Sequence, residues 1–336
     1  MRTTRRSVLV GTAAAGFGLF SIRPSHAAPE ITLRLSNNVS ADHPLSVRAN
    51  QAAKRIAAET DGRVELKVFI NSQLGADTDV LSQVRSGAID FQMISGEVLS
   101  TMVPTAGMYA MGFAFPNYDK VWSAMDGDLG SYIRRQIEAA GLYVMTRMWD
   151  NGFRQITSSS KEIKTPEDLR GFKIRVPVSP IYTSLFQALG ASPVGLNFSE
   201  LYSALQTGVV DGQENPLVVI QTARLYEVQK YCALTNHLWG GTWFIGNRAR
   251  MEKLPPNLRD IVTKHINEAA LDERADIAQT AAKVRADLSA KGMTISEPNL
   301  EPFKAMLNGS GFYAGWQKRV GDEAWALLEK YVGPLG

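Results

Sequence analysis

The apolar residues in the first third of the chain repeat with the periods of strands and helices in turn. Between residues 64 and 70 every second residue is apolar, which is typical of a strand. Between Asp42 and Thr60, alanine and leucine recur at helical spacing. The pattern predicts strands at 31–38, 64–70 and 89–94 and helices at 42–60 and 76–86. This β-α-β-α-β order favours a parallel sheet with right-handed crossovers.

A helix that ends at a glycine and precedes a buried strand occurs twice. Residues 84–90, VRSGAID, line up with residues 205–211, LQTGVVD. Gly87 and Gly208 stand where a helix commonly ends with a residue in the left-handed conformation. Because the same β-α-β context surrounds both copies, the repeat predicts two similar half-molecules.

The rest of the chain supplies further helices and the connections between the two halves. The sequence WDNG, Trp149 to Gly152, is a turn signal that we interpret as the first crossing. Other predicted helices are at 118–140, 165–168, 217–229, 256–291 and 302–331, and other strands at 141–148 and 242–247. The helix at 256–291 is long enough to run along both lobes. We expect 28–150 plus 240–279 to form the first lobe and 151–239 plus 280–336 the second.

Residues 1–27 have the pattern of an export signal. A basic head precedes an apolar run from Ser7 to Ile22, and Ser25-His26-Ala27 forms a small-residue cleavage site. Residues 4–9, TRRSVL, resemble a twin-arginine signal, although two adjacent arginines also occur in other basic heads. The signal holds four arginines and no acid, so its removal lowers the formal net charge from +3 to −1. A near-neutral mature chain has no basic field for nucleic acid or anionic lipid.

The residues of common enzyme and metal sites are missing from the sequence. The single Cys232 excludes an internal disulfide and every multi-cysteine metal site. The histidines outside the signal, His43, His237 and His265, lack metal-ligand spacing. The chain contains neither a GxSxG nor a GxxxxGK[ST] motif. We therefore expect a binding protein without metal or cofactor, whose many acids are mostly solvated surface.

A short strand at 172–176 places one arginine at a position suited to ligand binding. Phe172, Ile174 and Val176 alternate with Lys173 and Arg175, so the two cations share one face. Pro177 ends the strand, which puts Arg175 near its carboxyl end, where open α/β sheets bind ligands. A guanidinium there can hold a carboxylate through two hydrogen bonds. A solvated strand face is the alternative.

Three segments carry a resemblance to a known family. GFKIRVP (171–177), GASPVGLNFSELYSALQTGVVDGQENP (190–216) and LYEVQKYCALTNH (225–237) resemble the periplasmic solute receptors of tripartite ATP-independent (TRAP) transporters. The resemblance implies a two-lobed periplasmic binding protein fold, with two mixed or parallel sheets flanked by helices, a central cleft and a long spine helix. It also implies a periplasmic monomer that binds a small organic acid and works with integral membrane TRAP subunits.

The resemblance also assigns site residues. It implies that Arg175 is the principal carboxylate anchor and Arg154 the second arginine, whose alternative is an exposed strand residue. Asn215, in the predicted DGQENP turn, can donate to and accept from a ligand, or it serves the turn itself. Phe198, placed before a Ser199 cap, matches a pocket-wall position, and a core aromatic is its alternative.

Two tryptophans distinguish this chain from the sialic-acid branch of the family. Trp149 and Trp239 stand where that branch has smaller residues, and two indoles would narrow the cleft for a compact or flat ligand such as an aromatic acid. Either residue could instead belong to the core. Ser95 replaces the acid of the sialic-acid branch, with Glu97 two places later, which argues against an amine- or polyol-reading role here.

The leading hypothesis is thus an extracytoplasmic receptor that closes around an organic carboxylate and delivers it to a transporter. A periplasmic enzyme on which Arg175 positions a substrate is the alternative, and it lacks a catalytic constellation. A receptor that presents its ligand to a sensor protein stays open. Sugar acids, dicarboxylates, keto acids and aromatic acids all remain candidate ligands.

Overall fold

The structure is a computed structural model that describes residues 28–336. The predicted export signal, its cleavage site and its twin-arginine motif lie outside the described residues. Within residues 28–336, no helix has the length and apolar character needed to cross a membrane.

Eleven strands occur among the described residues. They are β1 (Ile31–Ser36), β2 (Val64–Phe69), β3 (Phe91–Ser95), β4 (Leu142–Val144), β5 (Trp149–Ser158), β6 (Lys173–Val176), β7 (Ser192–Gly195), β8 (Gly212–Pro216), β9 (Tyr231–Ala233), β10 (Trp239–Asn247) and β11 (Thr294–Ser296). Every strand predicted in the first 100 residues is confirmed to within a few residues at its ends.

The helices surround these strands. They are α1 (Pro44–Glu59), α2 (Asp77–Ser86), α3 (Gly96–Leu99), α4 (Tyr118–Met125), α5 (Asp128–Ala139), α6 (Pro180–Ala188), α7 (Leu201–Gln206), α8 (Leu217–Thr222), α9 (Arg248–Glu252), α10 (Pro256–Ala290), α11 (Glu301–Gly309), α12 (Phe312–Val320) and α13 (Asp322–Val332). Short 3-10 helices occur at Pro104–Ala110, Pro166–Leu169, Phe198–Glu200 and Leu225–Glu227.

The strands form one hydrogen-bonded array in the order β2-β1-β3-β10-β5-β8-β6-β7, with β4 beside β10, β9 beside β5 and β11 beside β9. We call β2, β1, β3, β10 and β4 the first half of the sheet, and β8, β6, β7, β9 and β11 the second half. The predicted α/β fold is confirmed, but the two predicted sheets are joined. The joining strand is β5, whose first residues pair with β10 and whose last residues pair with β8 and β9.

The predicted turn at Trp149–Gly152 is wrong, because these residues begin the ten-residue strand β5. Gly152 has a φ of +103°, and its N–H donates to Asp150 Oδ1 at 2.8 Å. Opposite them, the β10 register shifts between Gly240 and Gly241. Residues that usually form a turn here form an irregular, bulged part of a strand. The boundaries of the two lobes stay a prediction.

The two glycine-capped helices are confirmed. Gly87 follows α2 with a φ of 81°, and Gly208 follows α7 with a φ of 73°. Both values lie in the left-handed region, which a residue without a Cβ adopts at low cost. After each glycine the chain enters a buried strand, β3 or β8, in the middle of its half of the sheet.

Three other predicted helices are divided or shortened. The helix predicted at 118–140 is two helices, α4 and α5, separated at Gly127. The helix predicted at 217–229 ends at Thr222, and Arg224 then adopts a φ of 54°. The end of the chain folds as α11, α12 and α13 rather than as one helix.

The break at Gly127 leads to a stability prediction. A Cβ at Gly127 would lie 2.5 Å from both the Ser123 carbonyl oxygen and the Tyr331 hydroxyl oxygen. We expect Gly127→Ala to lower the free energy of unfolding by about 1–3 kcal/mol through overpacking. Gly315→Ala is the matched control, since it lies in α12 with open space around a Cβ. It should instead stabilise by about 0.5–1 kcal/mol. Urea unfolding measures both, and equal effects would contradict the prediction.

The long helix α10 is confirmed over 35 residues, about 52 Å at 1.5 Å per residue. It packs along α1, where Arg48 donates to both carboxylate oxygens of Asp276 at 2.6 and 2.7 Å. Farther along, Ile277, Val284 and Leu288 pack in a core cluster of the second half of the sheet, together with Cys232 on β9. The helix therefore contacts both halves, as expected of a spine.

Candidate functional site

A small cavity lies between the two halves of the sheet, near the carboxyl ends of the parallel strands β1, β3 and β6. The volume of this cavity is about 40 Å³. The carboxyl ends of parallel strands are the usual ligand site of open α/β sheets. Its lining residues are Asn38, Val39, Asp77, Ser95, Val98, Asn151, Arg154, Arg175, Pro177, Phe198, Asn215 and Val219. The structure thus brings together four of the six predicted site residues.

Arg175 lies on β6 with its side chain buried in the cavity wall, 1% exposed. Its Nε and Nη2 atoms donate to the Leu196 carbonyl oxygen at 3.0 and 2.7 Å, and Nη1 is buried without a partner. Among the described residues, no carboxylate forms an ion pair with it. Burial lowers the pKa of Arg175 to about 10, so the guanidinium stays charged at neutral pH. The cavity wall therefore carries a positive charge with no carboxylate in direct contact, although Glu214 and Asp77 lie near enough to favour the charged form.

Arg154, in contrast, is neutralised by a residue that the sequence analysis missed. Its Nε and Nη2 atoms donate to the two carboxylate oxygens of Glu214 at 2.5 and 2.9 Å, and both side chains are buried. Burial by itself raises the pKa of Glu214, but Arg154 and His237 bring it below its ordinary value. Glu214 belongs to the DGQENP motif, which is the signal that could have identified it.

Asn215 lines the cavity from a strand, so the predicted DGQENP turn is wrong. Residues 212–216 form β8, which pairs with β5 and β6 and is buried throughout. The Asn215 Oδ1 atom accepts from Arg154 Nη2 at 3.0 Å, and its Nδ2 atom donates to Gln213 Oε1 at 2.5 Å. These two bonds fix the orientation of the amide beside Arg154.

Phe198 is half-buried at the edge of the cavity, with its ring centroid 6.0 Å from Cζ of Arg175. The cap of its helix is Asn197 rather than the predicted Ser199. The Asn197 side chain accepts from the backbone of Glu200, whose side chain accepts the Asn197 N–H at 3.0 Å. This capping box fixes the start of the short helix and with it the position of the ring.

Trp149 and Trp239 do not line the cavity, so the prediction that they narrow the cleft is wrong for this structure. Trp149 is fully buried in a core cluster with residues of α1 and α10, and its ring stacks with that of Phe244. Trp239 packs on Tyr109 and Trp122, and its indole N–H donates to Asp150 Oδ1 at 2.8 Å. Both are core residues, which was the alternative reading.

The wall on the side of the first half of the sheet carries four polar side chains, Asn38, Asp77, Ser95 and Asn151, beside Val39 and Val98. Asp77, the first residue of α2, accepts from Asn38 Nδ2 at 2.9 Å, and burial raises its pKa. Ser95 lies at the end of β3, and the Asn151 Oδ1 atom is buried without a donor. Sequence reasoning missed Asn38, Asp77 and Asn151; the position of Asp77 at a helix N-terminus was the available signal for it.

The chain is similar over most of its length to known solute-binding proteins. Residues 35–310 match the family described as "Bacterial extracellular solute-binding protein, family 7". The chain is 30% identical over 290 residues to the 2,3-diketo-L-gulonate-binding periplasmic protein of Escherichia coli K12, which covers 86% of this chain and 87% of that protein. It is 34% identical over 303 residues to an uncharacterized protein of Sinorhizobium fredii, of which the match covers 56%.

A solved structure has the same fold. The TRAP periplasmic solute-binding protein of Roseobacter denitrificans, crystallised with bound L-galactonate, superposes with a TM-score of 0.84. It is 30% identical in sequence, and the match covers 90% of this chain and 99% of that chain. The similarity therefore includes both halves of the sheet and the spine helix.

Proposed function

Because the chain belongs to family 7 of the bacterial extracellular solute-binding proteins, we propose that it is the periplasmic receptor of a TRAP-type transporter and captures an organic carboxylate between its two lobes. The observation that carries this proposal is the buried guanidinium of Arg175 in the cavity between the two halves of the sheet, which contacts no carboxylate and whose Nη1 atom has no hydrogen-bond partner. A carboxylate is the ligand group that compensates such a charge with matching geometry.

Arg175 is proposed as the anchor, with Arg154, Asn215 and Phe198 beside it. The Nη1 atom of Arg175 has an unused donor. Arg154 already shares its charge with Glu214, so its contribution to an anion is smaller. Phe198 covers one side of the anchor at 6.0 Å. The order of importance is therefore Arg175 first and Arg154 second.

We propose further that the ligand is a hydroxylated acid with a single carboxylate. Besides Arg175 the cavity presents the Asp77 carboxyl and the Asn151 Oδ1 atom, which are acceptors and suit hydroxyl donors. A second carboxylate placed there would meet Asp77 as a like charge. Since neither tryptophan reaches the cavity, the reason for expecting an aromatic acid is removed. The Roseobacter denitrificans protein, with its bound L-galactonate, is an example of this ligand class.

A thermal-shift screen of purified protein tests both statements. Galactonate and erythronate represent hydroxylated monocarboxylates, succinate the dicarboxylates and benzoate the aromatic acids. An acid present at about 100 times its Kd stabilises the native state by about 2.7 kcal/mol, or roughly 5 °C in Tm for a protein of this size. We expect this shift with a hydroxylated acid. Stabilisation by none of the acids would contradict a carboxylate receptor.

Asp77→Asn tests the reason for the selectivity. Removing the charge of Asp77 should improve succinate binding at least about tenfold, because like-charge repulsion across a site costs several kcal/mol. Ser82→Ala, an exposed position on the same helix, is the control and should leave the preference unchanged. If succinate already binds the unmodified protein better than galactonate, the single-carboxylate proposal is wrong while the receptor function stands.

We propose that the ligand is released chemically unchanged. The Escherichia coli and Roseobacter denitrificans proteins described above are binding proteins. The acids nearest the cavity serve other groups: Glu214 pairs with Arg154, and Asp77 accepts from Asn38. Galactonate incubated with the protein should be recovered intact by mass spectrometry. A new product would favour the alternative of a periplasmic enzyme.

A further inference from the structure

Glu97 lies where the two halves of the sheet meet, and its side chain is completely buried. It belongs to α3, which follows β3 of the first half. Its Oε1 atom lies 3.2 Å from the hydroxyl of Tyr182, on α6 after β6 of the second half. Its Oε2 atom lies 3.2 Å from the hydroxyl of Tyr109, in the 3-10 helix of residues 104–110. Glu97 thus connects elements on the two sides of the junction between the halves of the sheet.

The hydrogen bonds of Tyr109 determine where the protons lie. Its hydroxyl oxygen is 2.7 Å from the Gly241 carbonyl oxygen, which can only accept, so the single hydroxyl proton is donated there. The same oxygen accepts the Gly96 N–H at 2.9 Å. At its contact with Glu97 Oε2, Tyr109 therefore has only a lone pair to offer. That contact is a hydrogen bond only if Glu97 carries the proton and donates it.

The second carboxyl oxygen of Glu97, Oε1, completes a row of hydrogen bonds. The Tyr182 hydroxyl can donate to Glu97 Oε1, Glu97 donates from Oε2 to Tyr109, and Tyr109 donates to Gly241. Each hydroxyl and carboxyl proton then has one acceptor. An ionised Glu97 would leave two lone pairs facing each other at Tyr109 in a buried site, which is costly.

The charged groups around Glu97 are compatible with a bound proton. Burial raises its pKa to about 7, opposed by Arg154 on β5 and assisted by Glu214 on β8. Arg154 is already paired with Glu214. Among the elements packed on α3, β3 and β10 carry no ionisable side chain, and α6 has only Tyr182. On α2, Asp77 is buried at the cavity, while Asp79 and Arg85 are exposed.

We propose that closure of the lobes binds one proton at Glu97, so that this receptor takes up a proton together with its organic acid. This inference rests on the proposed function, because we take the described arrangement, with its small cavity, as the closed state that a bound ligand stabilises. In an open state Tyr182 moves away together with the second half, and the Glu97 side chain is exposed to water. Its ordinary pKa of 4.5 then applies. Between pH 4.5 and about 7 the closed state holds a proton that the open state has lost.

The sign of the pH dependence follows from this difference. A group whose pKa is higher in the closed state favours that state at low pH, and the advantage is lost as pH rises through the closed-state pKa. The affinity for the acid should fall with rising pH within the window from 4.5 to about 7. The limiting slope is about tenfold per pH unit for one proton.

Calorimetric titration near pH 6 in buffers of different ionisation enthalpy counts the protons taken up per bound acid. The probe is whichever of galactonate, erythronate, glucuronate and succinate binds most tightly. On binding the acid, the unmodified protein should take up about one proton more than Glu97→Gln does. The amide accepts from Tyr182 and donates to Tyr109 as the protonated acid does, so this variant should bind at pH 5 like the unmodified protein. Glu301→Gln, at an exposed position of α11, is the matched control and should behave as the unmodified protein.

Several results separate the possible failures. Equal proton uptake by the unmodified protein and Glu97→Gln would overturn the proton site while leaving the receptor function intact. Binding by none of the four acids would overturn both. If Glu97→Gln fails to fold, Tyr109→Phe replaces it, since it removes the acceptor of the Glu97 proton and keeps the ring. In this variant the number of protons taken up per bound acid should be smaller, and the affinity should change less steeply with pH. An unchanged pH dependence of the affinity would contradict the proposal.

Discussion

Arg175→Ala should lower the affinity for the bound acid by roughly thirty- to several-thousand-fold. The loss follows from the cost of removing one member of a buried, hydrogen-bonded charge pair, about 2–5 kcal/mol, at about 1.4 kcal/mol per decade of affinity. Arg175→Lys should also weaken binding severely, because an ammonium cannot reproduce the planar fork that donates to Leu196 and that we propose as the carboxylate anchor. Calorimetric titration with the best acid from the screen measures both.

The stability of these variants makes the result interpretable. Without ligand, Arg175 is a buried cation that lacks an acidic partner, so its removal takes away a desolvated charge. We expect the unliganded Tm of Arg175→Ala to equal or exceed that of the unmodified protein. Lys173→Ala, at the exposed first residue of the same strand, is the control and should retain full affinity. Near-native binding by Arg175→Ala would shift the anchor to Arg154.

Glu214→Gln should lower the free energy of unfolding by about 3–5 kcal/mol, the cost of breaking a buried ion pair by removing one partner. The carboxylate of Glu214 accepts two hydrogen bonds from Arg154 and lies 3.3 Å from Nε2 of His237. Without it, Arg154 and Arg175 would be two buried cations facing one cavity. Chemical denaturation measures the loss.

A double variant separates the charge effect from simple repacking. In Arg154→Met with Glu214→Gln, neither charge remains, and replacing a whole buried pair by uncharged residues is often neutral. We expect it to regain most of the stability lost in Glu214→Gln. If Glu214→Gln unfolds at the same denaturant concentration as the unmodified protein, the pair contributes nothing to the fold.

Local chemistry was enough to predict the features that depend on neighbouring residues. Gly87 and Gly208 end their helices because a left-handed residue is needed there, and the neighbouring sequence contains that requirement. The long α10 has few breakers and was predicted almost to the residue. Arg175 was identified because alternation and Pro177 define both its face and its place on β6.

The errors concern residues whose conformation depends on distant partners. Asp150 sits in a turn signal, yet the indole of Trp239, 89 positions away, and a β10 neighbour hold it in a strand. Glu214 and Glu97 were not identified as buried acids, because their partners, Arg154, Tyr109 and Tyr182, are not adjacent in sequence. Burial of these acids is decided by how the two halves meet, which spacing along the chain does not contain.

The chain has one cysteine, and its burial allows cysteines introduced elsewhere to be labelled selectively. Cys232 is buried in β9, and burial raises the pKa of its thiol to about 12, so it is a poor nucleophile towards maleimides at neutral pH. New cysteines at two exposed positions, Lys54 on α1 and Lys173 on β6, can therefore accept a donor and an acceptor dye while the native thiol stays in place. Energy transfer between them would report lobe closure in single molecules, and the same pair would turn this protein into a fluorescent sensor for the acid it captures.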